Sequence, residues 1–149
     1  MATVIARTSP TTNGQRLRED WLERVSNLVE SVERWAEELG WVTRRIDKEI
    51  EDSEIGRHRV PALLLQQETT RMLLDPIARS APGAEGVVDL YVMPAFDDVA
   101  SLYFYNGEWQ LCYSSAAQPA DEAVHDAQSE PLSKQTFQKV VEDLRGHGG

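Results

Sequence analysis

Asp89 is the first residue whose type and placement could do chemistry. Residues 87–93 read as a strand in which Val88, Leu90 and Val92 point one way and Asp89 and Tyr91 the other, so a carboxylate falls mid-strand among apolar neighbours. Asp75 flanks the same region, and Asp97-Asp98 falls in the loop that follows. Paired carboxylates at strand ends can hold a divalent cation or act as acid and base. Asp in a turn also bonds nearby backbone, and that use accounts for Asp97-Asp98 without any ligand.

A helical glutamate such as Glu30 followed by a strand bearing Asp89 is similar to the acidic arrangement of metal-dependent nucleases. That chemistry also wants a lysine two residues beyond a second acid. Position 91 is Tyr91, and the lysines are Lys48, Lys134 and Lys139. A small metal-dependent or degenerate nuclease-like enzyme using Asp89 and a helix glutamate is therefore the alternative reading, not the leading one. His58, His125 and His147 have no metal-ligand spacing, and Cys112 is the single cysteine, so no metal and no cofactor are expected. Cys112 lies opposite in facing to Trp109 and Leu111, with no cation nearby to favour a thiolate, and reads as a structural thiol. A Cys–His nucleophile pair would need His58 or His125 to come close. Glycine-rich phosphate loops, nucleophile elbows and dinucleotide fingerprints are absent.

Binding is the stronger lead. Tyr103 and Tyr105 alternate with the opposed Gln110 and Glu108 on one face of an aromatic hairpin, and tyrosine at a surface is typical of protein interfaces. A C-terminal helix covering that face is the competing expectation. Arg44, Arg45, Arg57, Arg59 and Arg71 make the middle of the chain its least acidic part. Arg45, Arg57 and Arg59 on one face would suit an anionic or carboxylate-rich partner, unless Asp47, Glu49 and Glu68 pair with them. Trp21, Trp35, Phe104 and Trp109 could line a pocket between helix and sheet, or simply fill the core.

The composition sets the frame for these candidates. The chain has 149 residues, 41% of them hydrophobic, and a formal charge of −10 at pH 7. One domain of this size buries roughly 70% of the surface its unfolded chain exposes. The acidic balance opposes phosphate backbones and argues against nucleic acid as a partner. It favours solubility and attraction to basic partners. A lone cysteine fits a reducing compartment, and no apolar run is long enough to span a bilayer, so a cytoplasmic location without membrane association is expected.

The elements that must position the candidates follow from periodicity. Residues 1–14 read as a flexible arm and 15–149 as one domain. From Gln15 to Leu39 the apolar residues Trp21, Val25, Leu28, Val32, Trp35 and Leu39 recur every three or four, flanked by Leu22, Val29 and Ala36. This predicts an amphipathic helix, stopped by Gly40 and packed on a sheet rather than on a second helix. Residues 41–51 read as a strand, with continued helix as rival. Residues 57–66 and 70–79 read as strands, with Pro61 and Pro76 marking an edge or a bulge; a helix between these prolines is the rival. Asn106-Gly107 predicts a two-residue hairpin pairing Phe104 with Trp109. Residues 116–131 read as an acidic mobile connection. Ser133 is the expected cap of a final helix, with Leu132 and Phe137 as its staple and Gly146 as its end.

The expected fold is α+β: a long N-terminal helix on an antiparallel meander of five or six strands, plus a short C-terminal helix. The expected function is a non-enzymatic protein-interaction module, of adaptor, inhibitor or immunity, or chaperone-like type. It would use an acidic surface and exposed tyrosines, with a homodimer among the candidate assemblies.

Overall fold

The computed structural model describes residues 2–94, 99–113 and 129–148, with side chains described from residue 13 to residue 146 within those stretches. The element order is α1 (Ala2–Glu38), β1 (Val42–Ile50), β2 (His58–Gln67), β3 (Thr70–Ala78), β4 (Val87–Val92), β5 (Val99–Tyr105), β6 (Glu108–Tyr113), β7 (Ser129–Pro131) and α2 (Lys134–Gly148). The strands form one antiparallel sheet in sequence order, β1 to β7. This is the expected α+β meander with seven strands instead of five or six. The additional strand is β7, taken from the end of the stretch read as an acidic connection and paired to β6 through Cys112 and Ser129, Leu111 and Glu130, and Gln110 and Pro131. Asp97-Asp98 and residues 116–128 lie outside the described residues.

Helix α1 begins well ahead of Gln15, so the stretch read as an arm is helical in its backbone. Adding a residue to an existing helix costs little next to nucleating one, which lets the helix run past its packed part despite poor formers. Its C-terminus closes as the sequence implies. Gly40 has a positive φ of 92°, its N–H donates to Glu37 O at 3.1 Å, and the Trp41 N–H donates to Ala36 O at 2.9 Å. This double closure satisfies carbonyls the helix leaves open and turns the chain into β1.

The packing face of α1 is Trp21, Val25, Leu28, Val29, Val32 and Ala36, all buried. Val29 and Ala36, read as flanks, are at its centre, whereas Trp35 and Leu39 are only partly buried. The helix is thus rotated slightly about its axis from the expected setting. Trp21 is 0% exposed, and its indole N–H donates to His58 Nε2 at 3.0 Å. His58 Nδ1 lies 2.8 Å from Gly56 O. The indole can only donate, so the imidazole proton sits on Nδ1 and both ring nitrogens are satisfied.

The sheet confirms strands for 41–51 and 61–75 and excludes the helical rivals. Proline lacks a ladder donor, and both prolines sit where the ladders can spare one. Pro76 adjoins a register shift between Pro76 and Ala78 against β4. Pro61 opposes Asp47 of β1, and the ladder from β2 to β3 starts only at Leu63 and Leu74. Buried positions in β2 change parity at that point, from His58, Val60 and Ala62 to Leu63 and Leu65. The β5–β6 hairpin has the expected register, with Phe104 opposite Trp109 and Tyr105 opposite Glu108. Asn106 and Gly107 have φ of 55° and 78°, the two positive values that this tight turn requires.

Both helices pack on the same face of the sheet. Val32 of α1 and Phe137 and Val140 of α2 meet Leu74, Leu90, Leu102 and Leu111 around one small void, and Trp35 and Phe137 lie 6.0 Å apart, centroid to centroid. Ser133 caps α2: its Oγ accepts from the Thr136 N–H at 3.2 Å, and Thr136 Oγ1 accepts from the Ser133 N–H at 2.8 Å. The helix passes Gly146 and ends at Gly148. Arg145 ties its last turns to the β2–β3 turn through Gln67 and Glu68.

Gly86 sits where α1 and the hairpin close on β4. A Cβ there would meet Trp21 and Trp109 ring atoms at 3.1 Å each. Trp21 is fixed by its bond to His58, so Gly86→Ala should destabilise the fold by about 1–3 kcal/mol, the usual cost of overfilling a packed site. Urea unfolding followed by tryptophan emission measures this; a variant as stable as the parent would show that the contact yields freely.

Candidate functional site

Residues directly opposed in an antiparallel ladder share a face. The register from β3 to β6 therefore places Leu74, Leu90, Ala100, Leu102 and Leu111 under the helices, and Leu73, Asp75, Asp89, Tyr91, Ser101, Tyr103, Gln110 and Cys112 on the other face. Among the described residues no helix packs on that second face. The expectation that α2 covers the tyrosines fails because its apolar stripe of Phe137, Val140, Val141 and Leu144 is used on the α1 side.

A polar network crosses the open face. Asp75 and Asp89 are direct cross-strand partners. Asp75 is 7% exposed. Lys48 brings its ammonium from β1 to within 2.6 Å of Asp75 Oδ1 and 2.8 Å of Pro76 O. The Tyr91 hydroxyl donates to Asp75 Oδ2 at 3.0 Å, and the Ser101 hydroxyl donates to Asp89 Oδ1 at 2.9 Å. Burial raises the pKa of Asp89 from its ordinary value; the hydrogen bond from Ser101 and the charge of Lys48 oppose that rise, and the charge of Asp75 adds to it. Burial and the Asp75 carboxylate push the Tyr91 phenol up to about 12. The cation that the sequence lacked at position 91 is thus supplied by Lys48 from another strand. No local pattern could have shown this, because only the ladder from β1 through β3 brings the two together.

This network does not complete a metal site. Among the described residues no group of three His, Cys, Asp or Glu side chains converges. Glu30 is not near Asp89. It belongs to the helix side, where it acts electrostatically on Arg45. Arg45 opposes Leu63 on the helix side and donates to Glu33 Oε1 at 2.7 Å.

The residues singled out for binding fall into two groups. Tyr103, Tyr105 and Gln110 share the open face near the β7 edge, half-buried, with Glu108 exposed at the turn. The Tyr105 hydroxyl lies 3.3 Å from Ser129 Oγ, and Gln110 Nε2 donates to Glu108 Oε2 at 3.2 Å. The arginines do not join them. Arg45 is in β1 and Arg59 in β2, at the far edge of the sheet, and Arg57 lies in the turn between these strands with Glu51 at 3.8 Å. Four strand steps separate β2 from β6, about 19 Å at the usual spacing. The arginines and the tyrosines therefore do not form one surface. His58 and Cys112 are divided by the same strands, and burial pushes the Cys112 thiol upward, away from thiolate chemistry.

A second feature lies on the helix side. Trp35, Phe104 and Trp109, three of the four rings expected to line a pocket, form a groove with Leu28 and Leu132 between α1 and the hairpin. The fourth, Trp21, is core. Asp20, Glu23, Arg24, Asn27 and Glu108 rim the groove, which holds about 470 Å³.

No helix among the described residues is long and apolar enough to cross a membrane. No family model matches the chain, and no curated protein or solved structure matches it either.

Two outcomes follow from the network. A carboxyl group whose folded pKa is raised binds its proton more tightly when folded, so its contribution is greatest at low pH and is lost as pH rises through the folded value. Asp89→Asn, which keeps an acceptor for Ser101, should therefore be more stable than the parent at neutral pH, with the advantage vanishing as pH falls below the ordinary carboxylate range. Thermal unfolding across that pH window reads it; a constant difference at every pH would contradict it. Lys48→Met should cost about 2 kcal/mol, below the range for a fully buried pair because 33% of the lysine side chain is exposed. Adding Asp75→Asn to that variant should recover much of the loss in urea titration.

Proposed function

We propose that this protein is a non-enzymatic interaction module and that the open face of its sheet, bearing Tyr103, Tyr105 and Gln110, is the surface offered to a protein partner. The observation that carries the reading is the placement of both helices on the other face, which leaves half-exposed aromatic residues where a domain of this kind would otherwise bury them. Tyrosine supplies large contact area at low entropy cost together with a hydrogen-bonding tip. A hydrogen-bonded network of Asp75, Asp89, Tyr91 and Ser101 lies on the same face beside the tyrosines, and a surface ordered in advance loses less on binding.

The same reading places the protein in a reducing, cytoplasmic setting, supported by its single cysteine and the protonated thiol that burial favours. Its formal charge of −10 sets it against phosphate backbones and toward partners with basic surfaces. An adaptor, an inhibitor of the immunity type or a chaperone-like holder of another chain all use such a face. A homodimer formed through it is the simplest assembly.

The test compares two baits in the native host: the parent, and Tyr103→Ala with Tyr105→Ala. Both positions are half-exposed, so the double variant should melt close to the parent. A defined partner identified by mass spectrometry with the parent should be lost, or weakened about tenfold or more, with the variant. Partner sets that are identical for the two baits, with light scattering showing a monomer at all concentrations, would end the reading.

A further inference from the structure

We propose that the groove between α1 and the β5–β6 hairpin is a docking site for a basic amphipathic segment of a partner protein. This site lies on the helix side of the sheet and is independent of the tyrosine face.

The shape of the groove argues for a peptide. One wall is a continuous stripe of α1, since Asp20, Glu23, Asn27, Ser31 and Trp35 recur every three or four residues. At 1.5 Å per residue that stripe is about 22 Å long. The opposite wall is the hairpin tip at Gly107 and Glu108, and Leu132 closes the end near α2. A long trough of this kind suits a segment of chain laid beside the helix better than a compact small molecule.

The lining defines the chemistry of the occupant. The floor is aromatic, with Phe104 and Trp109 edge to face at 5.2 Å and Trp35 half-buried beside them. The rim carries the α1 carboxylates Asp20 and Glu23, neither of which is in an ion pair among the described residues, while the Glu108 carboxylate accepts from Gln110 on the open face. The one cation among the described residues of the rim is already engaged. Arg24 stacks 4.4 Å over the Phe104 ring and donates to Glu85 O at 2.8 Å. A segment with apolar anchors on one side and Lys or Arg on the other would meet rings with its anchors and unpaired acids with its cations. An acidic segment would meet like charge at the rim, on a chain already at −10.

The groove exists because Trp35 is turned partly off the sheet. Val29 and Ala36 take the centre of the helix face, and Trp35 is left on its shoulder, packed on Phe137 and facing Trp109 across the trough. The side chain is apolar, large and only half covered, which is the usual condition of an anchor surface.

The test uses the intact protein and a synthetic amphipathic peptide with Leu on one face and Lys on the other. Trp35 and Trp109 report binding through tryptophan emission. Titration should give a saturable change that weakens as salt is raised. Asp20→Lys with Glu23→Lys, both at exposed positions of α1, should bind the peptide about tenfold more weakly. Tyr103→Ala with Tyr105→Ala should bind it as the parent does, which separates this site from the tyrosine face. A counterpart peptide with Glu in place of Lys should not bind. The proposal is overturned by an absence of saturable binding, by equal affinity in the charge-reversed variant, by equal affinity for the acidic peptide, or by indole alone binding as tightly as the basic peptide.

Discussion

Everything in this molecule depends on two helices sharing one face of one sheet. Helix α1 supplies Trp21, Val25, Leu28, Val29, Val32 and Ala36, and α2 supplies Phe137, Val140, Val141 and Leu144; all are buried together over Leu74, Leu90, Leu102 and Leu111. Fully burying one such aliphatic or aromatic side chain contributes about 1.5–3 kcal/mol, so this single layer supplies most of the drive to fold. The contacts at its margins fix where each helix may lie. The Trp21–His58 bond sets the first half of α1 over the start of β2, the closure at Gly40 sets its end, and Arg145 holds the far end of α2 to the β2–β3 turn.

A sheet with both helices on one side must solve a different problem on the other. Its central strands would present a flat apolar surface to water or to other chains. Here Asp75, Asp89, Tyr91 and Ser101 occupy the middle of that face, and Lys48 reaches in from β1. Lys48 and Tyr91 donate to the two carboxylate oxygens of Asp75 and Ser101 donates to Asp89, and no buried side-chain polar atom lacks a partner among the described residues. Such an arrangement is costly to break and contributes less to stability than an apolar core of the same volume. What it supplies is a polar, ordered floor, beside which the half-exposed tyrosines are held in place.

The parts of the fold legible in the sequence were those fixed locally. The Asn106-Gly107 turn dictates its own register, because its backbone twist admits few alternatives, and Ser133 with Leu132 and Phe137 marks a helix start through three positions in a row. The helix period gave the existence of α1 but not its rotation, since a stripe broadened by Leu22, Val29 and Ala36 is compatible with several settings about the axis. Strand β7 was hidden in an acidic stretch because its three residues contribute backbone pairing to β6 and almost no burial. The Lys48–Asp75 pair was illegible for another reason. It joins β1 to β3, and whether such residues meet depends on ladder registers that no local pattern encodes.

The same limit explains why two leads from the sequence stay apart and another shifted. The arginines and the tyrosines were separate leads for binding, and a meander lays sequence distance out as spatial distance, strand after strand. Arg45 and Arg59 therefore had to end up far from Tyr103 and Tyr105 once β1 and β6 took opposite sides of the sheet. The four aromatic rings, by contrast, were grouped by facing, and facing is what the hairpin register and the helix period do encode. Three of them meet. Trp21 leaves the set because its indole N–H requires a buried acceptor, and His58 provides one only beneath α1. Among the described residues Trp35 has no such partner in the interior, so rotation of α1 toward Val29 and Ala36 costs it little and leaves it as the wall of a groove. Two tryptophans of one helix thus differ in burial, and the buried one is the one whose indole N–H meets His58.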